Sequence, residues 1–145
     1  MPKALIICAS RAGETTSIGN LIAEGVRISG AEAEVTDCKK IKTESDLEGY
    51  DAVVLGSATY HGDMMQGMKT LLFLAEKASL KGVVGGAFGA FGWSGEAPDR
   101  IYDTMKNIFD MDMVNEPLRL KSSFMGGGKK MAHAYGGNLA TKMAG

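Results

Sequence analysis

Four hydroxyl side chains surround a glycine in residues 10–17 (SRAGETTS), between an apolar run and a helical pattern. A loop that opens a helix offers backbone N–H groups and the positive end of the helix dipole, and its hydroxyls add O–H donors. These groups suit a phosphate monoester. The loop contains neither the dinucleotide fingerprint Gly-x-Gly-x-x-Gly nor a P-loop. The sequence therefore predicts a monophosphate cradle, with plain capping of the helix as the alternative.

Two later loops carry flat side chains beside glycines. They are residues 57–63 (SATYHGD) and residues 87–96 (AFGAFGWSGE), and the second contains the single tryptophan, Trp93. Glycine permits positive φ and a close approach of the backbone to a flat group. Trp93 can cover one face of such a group. We therefore expect a site for a planar ring with a phosphate tail, although a tight strand–helix turn would also explain the glycines.

An alternation of strands and helices places the three loops. Apolar runs predict strands at residues 3–8, 31–36, 51–57, 82–90 and 117–121, and helical spacing predicts helices at 17–28, 64–79, 98–109 and 129–143. Strands that are buried on both faces read as continuous apolar runs, which is typical of parallel sheets. We expect one α/β domain over residues 1–145, a three-layer sandwich with right-handed crossovers. Ligands of such sheets bind beyond the carboxyl ends of the strands.

Composition excludes several classes of function. The chain of 145 residues has a formal charge of −1 with scattered Lys and Arg, which argues against nucleic acid and against a polybasic membrane anchor. No apolar run has the length of a membrane span, and the N-terminus is not typical of a signal peptide. We therefore expect a cytoplasmic protein without a metal site. Cys8 and Cys38 are expected as buried small side chains, with a redox pair as the alternative.

At these loops the chain resembles the flavodoxin family, which binds FMN on a five-stranded parallel sheet of order 2-1-3-4-5. The family's phosphate loop reads [Thr/Ser]-x-Thr-Gly-Asn-Thr, and SRAGET keeps its first, fourth and last positions but departs at Ala12 and Glu14. His61-Gly62-Asp63 matches an aromatic-Gly-Asp pattern of many flavodoxins. The segment FGWSGE at 91–96 is most similar to the flavodoxin domain of flavodiiron proteins, and the chain lacks the diiron ligand motifs, so we expect a stand-alone flavin domain.

The resemblance implies a function and a set of residues. The function is low-potential one-electron transfer between redox partner proteins by non-covalent FMN, in a monomer or weak homodimer. His61 would flank the flavin ring, the peptide at Gly62 would face flavin N5, and Asp63 with Trp93 would make a reduced, anionic flavin costly. The implied cofactor-binding residues are Ser10, Arg11, Ala12, Gly13, Glu14, Thr15, Thr16, Ala58, Thr59, Tyr60, His61, Gly62, Asp63, Phe88, Gly89, Phe91, Gly92, Trp93, Gly95 and Glu96.

Other functions remain open at this stage. Thr59-Tyr60-x-Gly62-x-Met64, followed by Gln66-x-Met68-Lys69, is also similar to NAD(P)H:quinone reductases of the same superfamily, so a small NAD(P)H-dependent FMN or quinone reductase is the alternative. A phosphoacceptor receiver would need acidic residues at the end of the first strand, where Cys8 and Ser10 stand, and a nucleotide-binding regulatory module is the remaining possibility. Met64 is expected on an apolar docking rim for a partner.

Overall fold

A parallel sheet forms the centre of the computed structural model, which describes residues 1–10, 13–60, 62–90, 96–120 and 127–145. The strands are β1 (Lys3–Ala9), β2 (Glu32–Asp37), β3 (Ala52–Ser57), β4 (Thr59–Tyr60), β5 (Asp63–Met64), β6 (Val84–Ala90), β7 (Asp112–Met113) and β8 (Leu118–Leu120). The helices are α1 (Glu14–Ile28), α2 (Gln66–Ala75), α3 (Glu96–Asn107) and α4 (Gly128–Ala144), with 3₁₀ turns at Cys38–Lys40 and Glu44–Leu47.

The sheet has the predicted strand order. It runs β2-β1-β3-β6-β7, β8 also pairs with β6, and every one of these pairs is parallel. Because β7 and β8 share the position beside β6, they act as one interrupted fifth strand. The order 2-1-3-4-5 and the α/β sandwich are confirmed. The separate antiparallel pair β4–β5 was not expected, since residues 63–64 carry no strand period of their own.

Alternating side chains of the central strands supply a core on each face. Ile6 of β1 packs in one cluster with side chains of α1 and α4, including Ile22 and Leu139. The neighbouring Leu5 packs in the other cluster with side chains of α2 and α3, including Met68. This two-sided burial explains why the central strands read as continuous apolar runs. None of the helices within the described residues is long and apolar enough to cross a membrane.

The fifth strand is interrupted beside Ala87. β7 pairs with Val84 and Gly85, whereas β8 begins to pair at Phe88. At the interruption the Tyr135 hydroxyl of α4 accepts a hydrogen bond from the Ala87 N–H at 3.1 Å and donates one to the Ala87 carbonyl at 3.2 Å. A side chain from the helix layer thus replaces the missing strand, because buried backbone groups left without partners are costly.

The backbones of helices α1 and α4 are in direct contact. A Cβ added at Gly25 would lie 2.2 Å from the carbonyl oxygen of His133, and one added at Gly136 would lie 2.2 Å from that of Ile22. Only glycine allows this spacing. At the rim of the contact, His133 Nε2 lies 2.8 Å from a Glu24 carboxylate oxygen.

The glycines of β6 correct the interpretation drawn from the sequence. An added Cβ would lie 2.6 Å from the Met113 sulfur at Gly85 and 2.2 Å from the Ser57 carbonyl oxygen at Gly89. Close packing against a backbone oxygen therefore requires the glycine at 89 without any ligand, whereas at Gly85 a flexible methionine side chain fills the space. Phe88, expected at the cofactor, is fully buried, and its ring fills the space where a side chain at Gly56 would stand. Phe88 is a core residue because it lies on the face of β6 that packs against α1 and α4.

The bounds of helices α1 and α2 also differ from the expectation. α2 is shorter than residues 64–79 at both ends, and α1 begins three residues before the expected position 17, at Glu14. Met64, expected on an exposed rim, is only 9% exposed because it belongs to β5 and packs in the α2–α3 core.

Candidate functional site

The three predicted loops follow adjacent strands at one edge of the sheet. β1, β3 and β6 are neighbours and parallel, so their carboxyl ends lie side by side. The Ala58 N–H after β3 donates to the Ala9 carbonyl of β1 at 3.2 Å, which joins the first two loops. Strand order reverses at β1, because β2 lies on one side of it and β3 on the other. Such a switch point is the usual ligand position in this architecture.

The start of α1 has the chemistry of an anion site. Gly13 precedes the helix in the left-handed region (φ 85°), and as a glycine it has no side chain with which to cap the helix N-terminus. The Ser17 hydroxyl donates to the Gly13 carbonyl at 3.1 Å and is thereby used within the turn. By contrast, Ser10 Oγ and Thr15 Oγ1 are buried without a hydrogen-bond partner among the described residues.

These two hydroxyls are the strongest sign of a ligand. Buried polar atoms are almost always hydrogen-bonded, and an unsatisfied one costs about 1–3 kcal/mol. Plain helix capping would have consumed a hydroxyl, yet neither of these two caps α1. A helix N-terminus that begins at a glycine, beside two O–H donors without a partner among the described residues, fits a phosphate group. The residues present therefore fit the group that the sequence predicts.

The second loop is a tight hairpin. β4 and β5 pair Thr59 with Met64 and Tyr60 with Asp63, and Gly62 turns the chain with φ 74°. The Ser57 hydroxyl, fully buried at the end of β3, accepts the Met65 N–H at 2.9 Å and donates to the Ala58 carbonyl. These bonds fix both ends of the hairpin on the sheet.

Two cations neutralise Asp63 of the hairpin. Lys69 Nζ of α2 lies 2.7 Å from one Asp63 oxygen, and an Arg100 nitrogen of α3 lies 3.8 Å from the other. The Lys69 hydrogen bond, followed by that from the Met64 N–H, lowers the pKa of the Asp63 carboxyl. The sequence interpretation has Asp63 raise the cost of an anionic flavin, and these two cations from other elements offset part of that charge.

The third loop is tied to the second. The Ala97 N–H, in the first turn of α3, donates to Thr59 Oγ1 at 3.2 Å. A hydroxyl of one loop therefore caps the helix that follows the other, which holds Ala58, Thr59 and Glu96 at the same edge of the sheet.

The structure brings part of the predicted set together. Described at this edge are Ser10, Gly13, Glu14, Thr15, Thr16, Ala58, Thr59, Gly62, Asp63, Gly89 and Glu96. Outside the described residues lie Arg11, Ala12, His61, Phe91, Gly92, Trp93 and Gly95, together with the side chain of Tyr60. Sequence reasoning missed Ser57, Lys69 and Arg100. The six-residue spacing between Asp63 and Lys69 is a weak sign of their ion pair in the sequence. No sequence pattern indicates the ion pair between Asp63 and Arg100.

The cysteines do not form a pair. Both are free and buried, Cys8 in the α1–α4 core and Cys38 in the α2–α3 core, on opposite faces of the sheet. Burial raises the pKa of the Cys8 thiol to about 12, so that it stays protonated. Among the described residues no group of three His, Cys, Asp or Glu side chains could hold a metal ion.

Comparisons of the sequence with known proteins point to one family. The family model of a flavodoxin domain matches residues 5–127. The chain is 34% identical over 104 residues to diflavin flavoprotein A 2 of Thermosynechococcus vestitus, covering 68% of this chain and 18% of that protein. The chain thus spans about a fifth of that relative's length.

Solved structures share the whole fold. A flavodoxin from the domain Archaea superposes with a TM-score of 0.92 at 25% identity and covers 99% of both chains. The flavodiiron protein of Giardia intestinalis superposes with a TM-score of 0.88 at 22% identity, covering 98% of this chain and 36% of that one. At 22% identity, the match to the Giardia intestinalis protein shows a shared fold.

Proposed function

The chain belongs to the flavodoxin domain family, and from that premise we propose that it binds FMN non-covalently and carries single electrons at low potential between redox proteins of the cytoplasm. One observation carries the proposal, namely the two buried hydroxyls of Ser10 and Thr15 at the start of α1, which have no hydrogen-bond partner among the described residues. In this proposal both donate to the FMN phosphate, and the first N–H groups of α1 supply further donors.

The ring of the flavin belongs at the hairpin and the third loop. Ala58 and Thr59 line it from the end of β3, and Gly62 allows its peptide to face flavin N5 without a Cβ in the way. His61 and Trp93 are proposed to cover the ring. Bound FMN supplies the redox chemistry, and the protein tunes its potential and limits its contact with water.

Charges around the hairpin adjust the potential. Asp63 disfavours negative charge on a nearby ring, but Lys69 at 2.7 Å and Arg100 at 3.8 Å offset it. The low potential is therefore proposed to arise from the apolar surroundings of the ring, because burial disfavours the charged form of a reduced flavin. Asp63 contributes less than its charge alone would suggest.

The test compares two flavins and then counts electrons. FMN and riboflavin differ by the phosphate, so we expect the chain to bind FMN at least about 100-fold more tightly, which corresponds to two or more charge-assisted hydrogen bonds. Equal affinities would contradict the phosphate cradle. Binding is followed by the quenching of flavin fluorescence.

A reductive titration of the FMN-loaded chain then separates the two redox hypotheses. Two resolved one-electron steps support a carrier. A single two-electron step, together with steady consumption of NAD(P)H in the presence of a quinone, would favour the reductase instead. A chain that binds no flavin and shows no visible absorbance would contradict both.

A further inference from the structure

The outer face of α2 is unusually apolar for a surface helix. Phe73 is 73% exposed, and its sequence neighbours Leu72 and Leu74 are partly exposed. A surface helix normally turns polar residues outward, so an exposed aromatic on such a helix marks a contact surface. Phe73 is also the one aromatic among the large apolar side chains exposed in the described residues.

Phe73 stands on the rim of a groove between α2 and α3. The groove has a volume of about 280 Å³, and its lining includes Met64, Leu72 and Phe109. Ile108, which is 60% exposed, stands on the opposite rim. These apolar side chains can receive a large apolar side chain, and Lys69, Glu76 and Thr104 also line the groove.

The charges on this face are arranged so that the face complements itself. Lys69, Leu72, Phe73 and Glu76 follow the spacing i, i+3, i+4, i+7 and form one stripe along α2. Glu76 retains helical dihedral angles (φ −59°, ψ −27°) and so continues the stripe. One end of the stripe is therefore cationic and the other anionic. Glu76 makes no ion pair within the described part of the chain, and Lys69, although it binds Asp63, is 41% exposed.

We propose that a second copy of this chain docks on this face through a twofold axis, with the two α2 helices antiparallel. In one register Lys69 of each copy faces Glu76 of the other, and Leu72 of each faces Phe73 of the other. Phe73 then enters the partner's groove. A twofold contact uses the same patch twice, so self-complementary charge is what it requires. The proposal does not rest on flavin binding.

Charge reversal tests the register. Glu76→Lys converts two symmetric attractions into repulsions and is expected to raise the dimer dissociation constant about tenfold. Lys69→Glu is expected to do the same. An equimolar mixture of the two variants restores both attractions, and it should associate more tightly than either variant alone. Glu32→Lys, an equal charge change on the exposed side of β2, is the matched control and should associate as the unmodified chain does.

Sedimentation velocity over a concentration series, with FMN bound and without it, gives the readout. Phe73→Ser should weaken the dimer about 100-fold, because a central aromatic is lost twice. Ile28→Ser removes a side chain that is 75% exposed on α1 and should change nothing. The proposal is overturned if the chain sediments as a monomer up to millimolar concentration, if Phe73→Ser leaves a dimer intact, or if this face binds only a redox protein of different sequence.

Discussion

The two helix layers, α1 with α4 and α2 with α3, pack in different ways. α1 and α4 meet backbone to backbone at Gly25 and Gly136, so their interface is completed within the chain. α2 and α3 are joined through flexible methionine side chains such as Met68 and Met105, and they leave an open groove beside exposed Phe73. The first layer carries the proposed phosphate end of the site and the second supports the hairpin at the ring end. The layer with backbone contacts thus lies at the proposed phosphate anchor, and the layer with methionine contacts lies at the proposed ring end.

The largest effect is expected from disrupting the backbone contact between α1 and α4. Gly136→Ala places a Cβ 2.2 Å from the Ile22 carbonyl oxygen, a backbone atom that can move only if the two helices separate. We expect a loss of about 3 kcal/mol or more in the free energy of unfolding, measured by urea denaturation.

The adjacent glycine is the matched control for that substitution. A Cβ at Gly137 would meet only the Ser29 hydroxyl, at 3.4 Å, which is an ordinary contact. Gly137→Ala should therefore stabilise the chain by up to about 1 kcal/mol, since glycine is a poor residue inside a helix. A loss in Gly137→Ala as large as that in Gly136→Ala would mean that the contact with the Ile22 carbonyl is not what distinguishes Gly136 from its neighbour.

The second prediction concerns the anchor that α1 provides. The double variant Ser10→Ala with Thr15→Val removes two buried hydroxyls that have no partner among the described residues. The flavin-free chain should keep or gain stability, by up to about 1 kcal/mol, because unsatisfied groups are removed. FMN affinity should fall about 100-fold through two lost charge-assisted bonds.

Riboflavin provides the control for the double variant. It lacks the phosphate, so its affinity should be the same for the variant and the unmodified chain. A parallel loss of riboflavin affinity would show that the substitutions had disturbed the ring end instead. Unchanged FMN affinity would remove Ser10 and Thr15 from the site.

Local patterns predicted most of the fold from the sequence. The strands β1, β3 and β6 are continuous apolar runs because both faces are buried, and that pattern lies within each strand. The interrupted fifth strand was only partly predicted, since residues 112–113 are too short to show a period. The hairpin was predicted as a loop, and its last residue, Met64, was included in the predicted helix because Met64 and Met65 are apolar and precede a true helical stripe.

The site was predicted less completely, for a physical reason. Ser10 and Thr15 could be recognised because hydroxyls near a glycine at the start of a helix indicate an anion site from neighbouring residues alone. The roles of Gly89 and Asp63 could not be recognised in this way, because they depend on groups distant in the chain: the Ser57 carbonyl against Gly89, and the cations around Asp63. Glycine and carboxylate residues can be recognised in a sequence, but what lies opposite them cannot.

The third prediction tests how α4 supports the edge of the sheet. Tyr135→Phe removes the hydroxyl that bonds both the N–H and the carbonyl of Ala87 at the interrupted edge. We expect a loss of about 1–3 kcal/mol in unfolding free energy and faster hydrogen exchange at the Ala87 amide. Tyr50→Phe, which removes a surface hydrogen bond to Glu34, should cost less than about 0.5 kcal/mol. Equal costs would mean that a water can replace the Tyr135 hydroxyl.

The smallest predicted effect lies in the layer of α2 and α3, at the charge nearest the hairpin. Lys69→Gln removes the closer of the two cations on Asp63 and leaves Arg100 at 3.8 Å. Negative charge near the flavin is then less compensated, so reduction becomes harder. Exposed pairs are worth about 0.2–1 kcal/mol, which corresponds to a potential lowered by about 10–40 mV for a one-electron step.

The control for this substitution is Lys81→Gln, since Lys81 precedes β6 and therefore lies at the opposite end of the sheet. It should leave the potential unchanged, and the shift caused by Lys69→Gln should shrink in high salt, because charges at the surface are screened. A raised potential would mean that Lys69 acts on the flavin by holding the hairpin in place. The layer of α2 and α3 would then resemble that of α1 and α4 more closely than its packing suggests, because position and not charge would be its contribution.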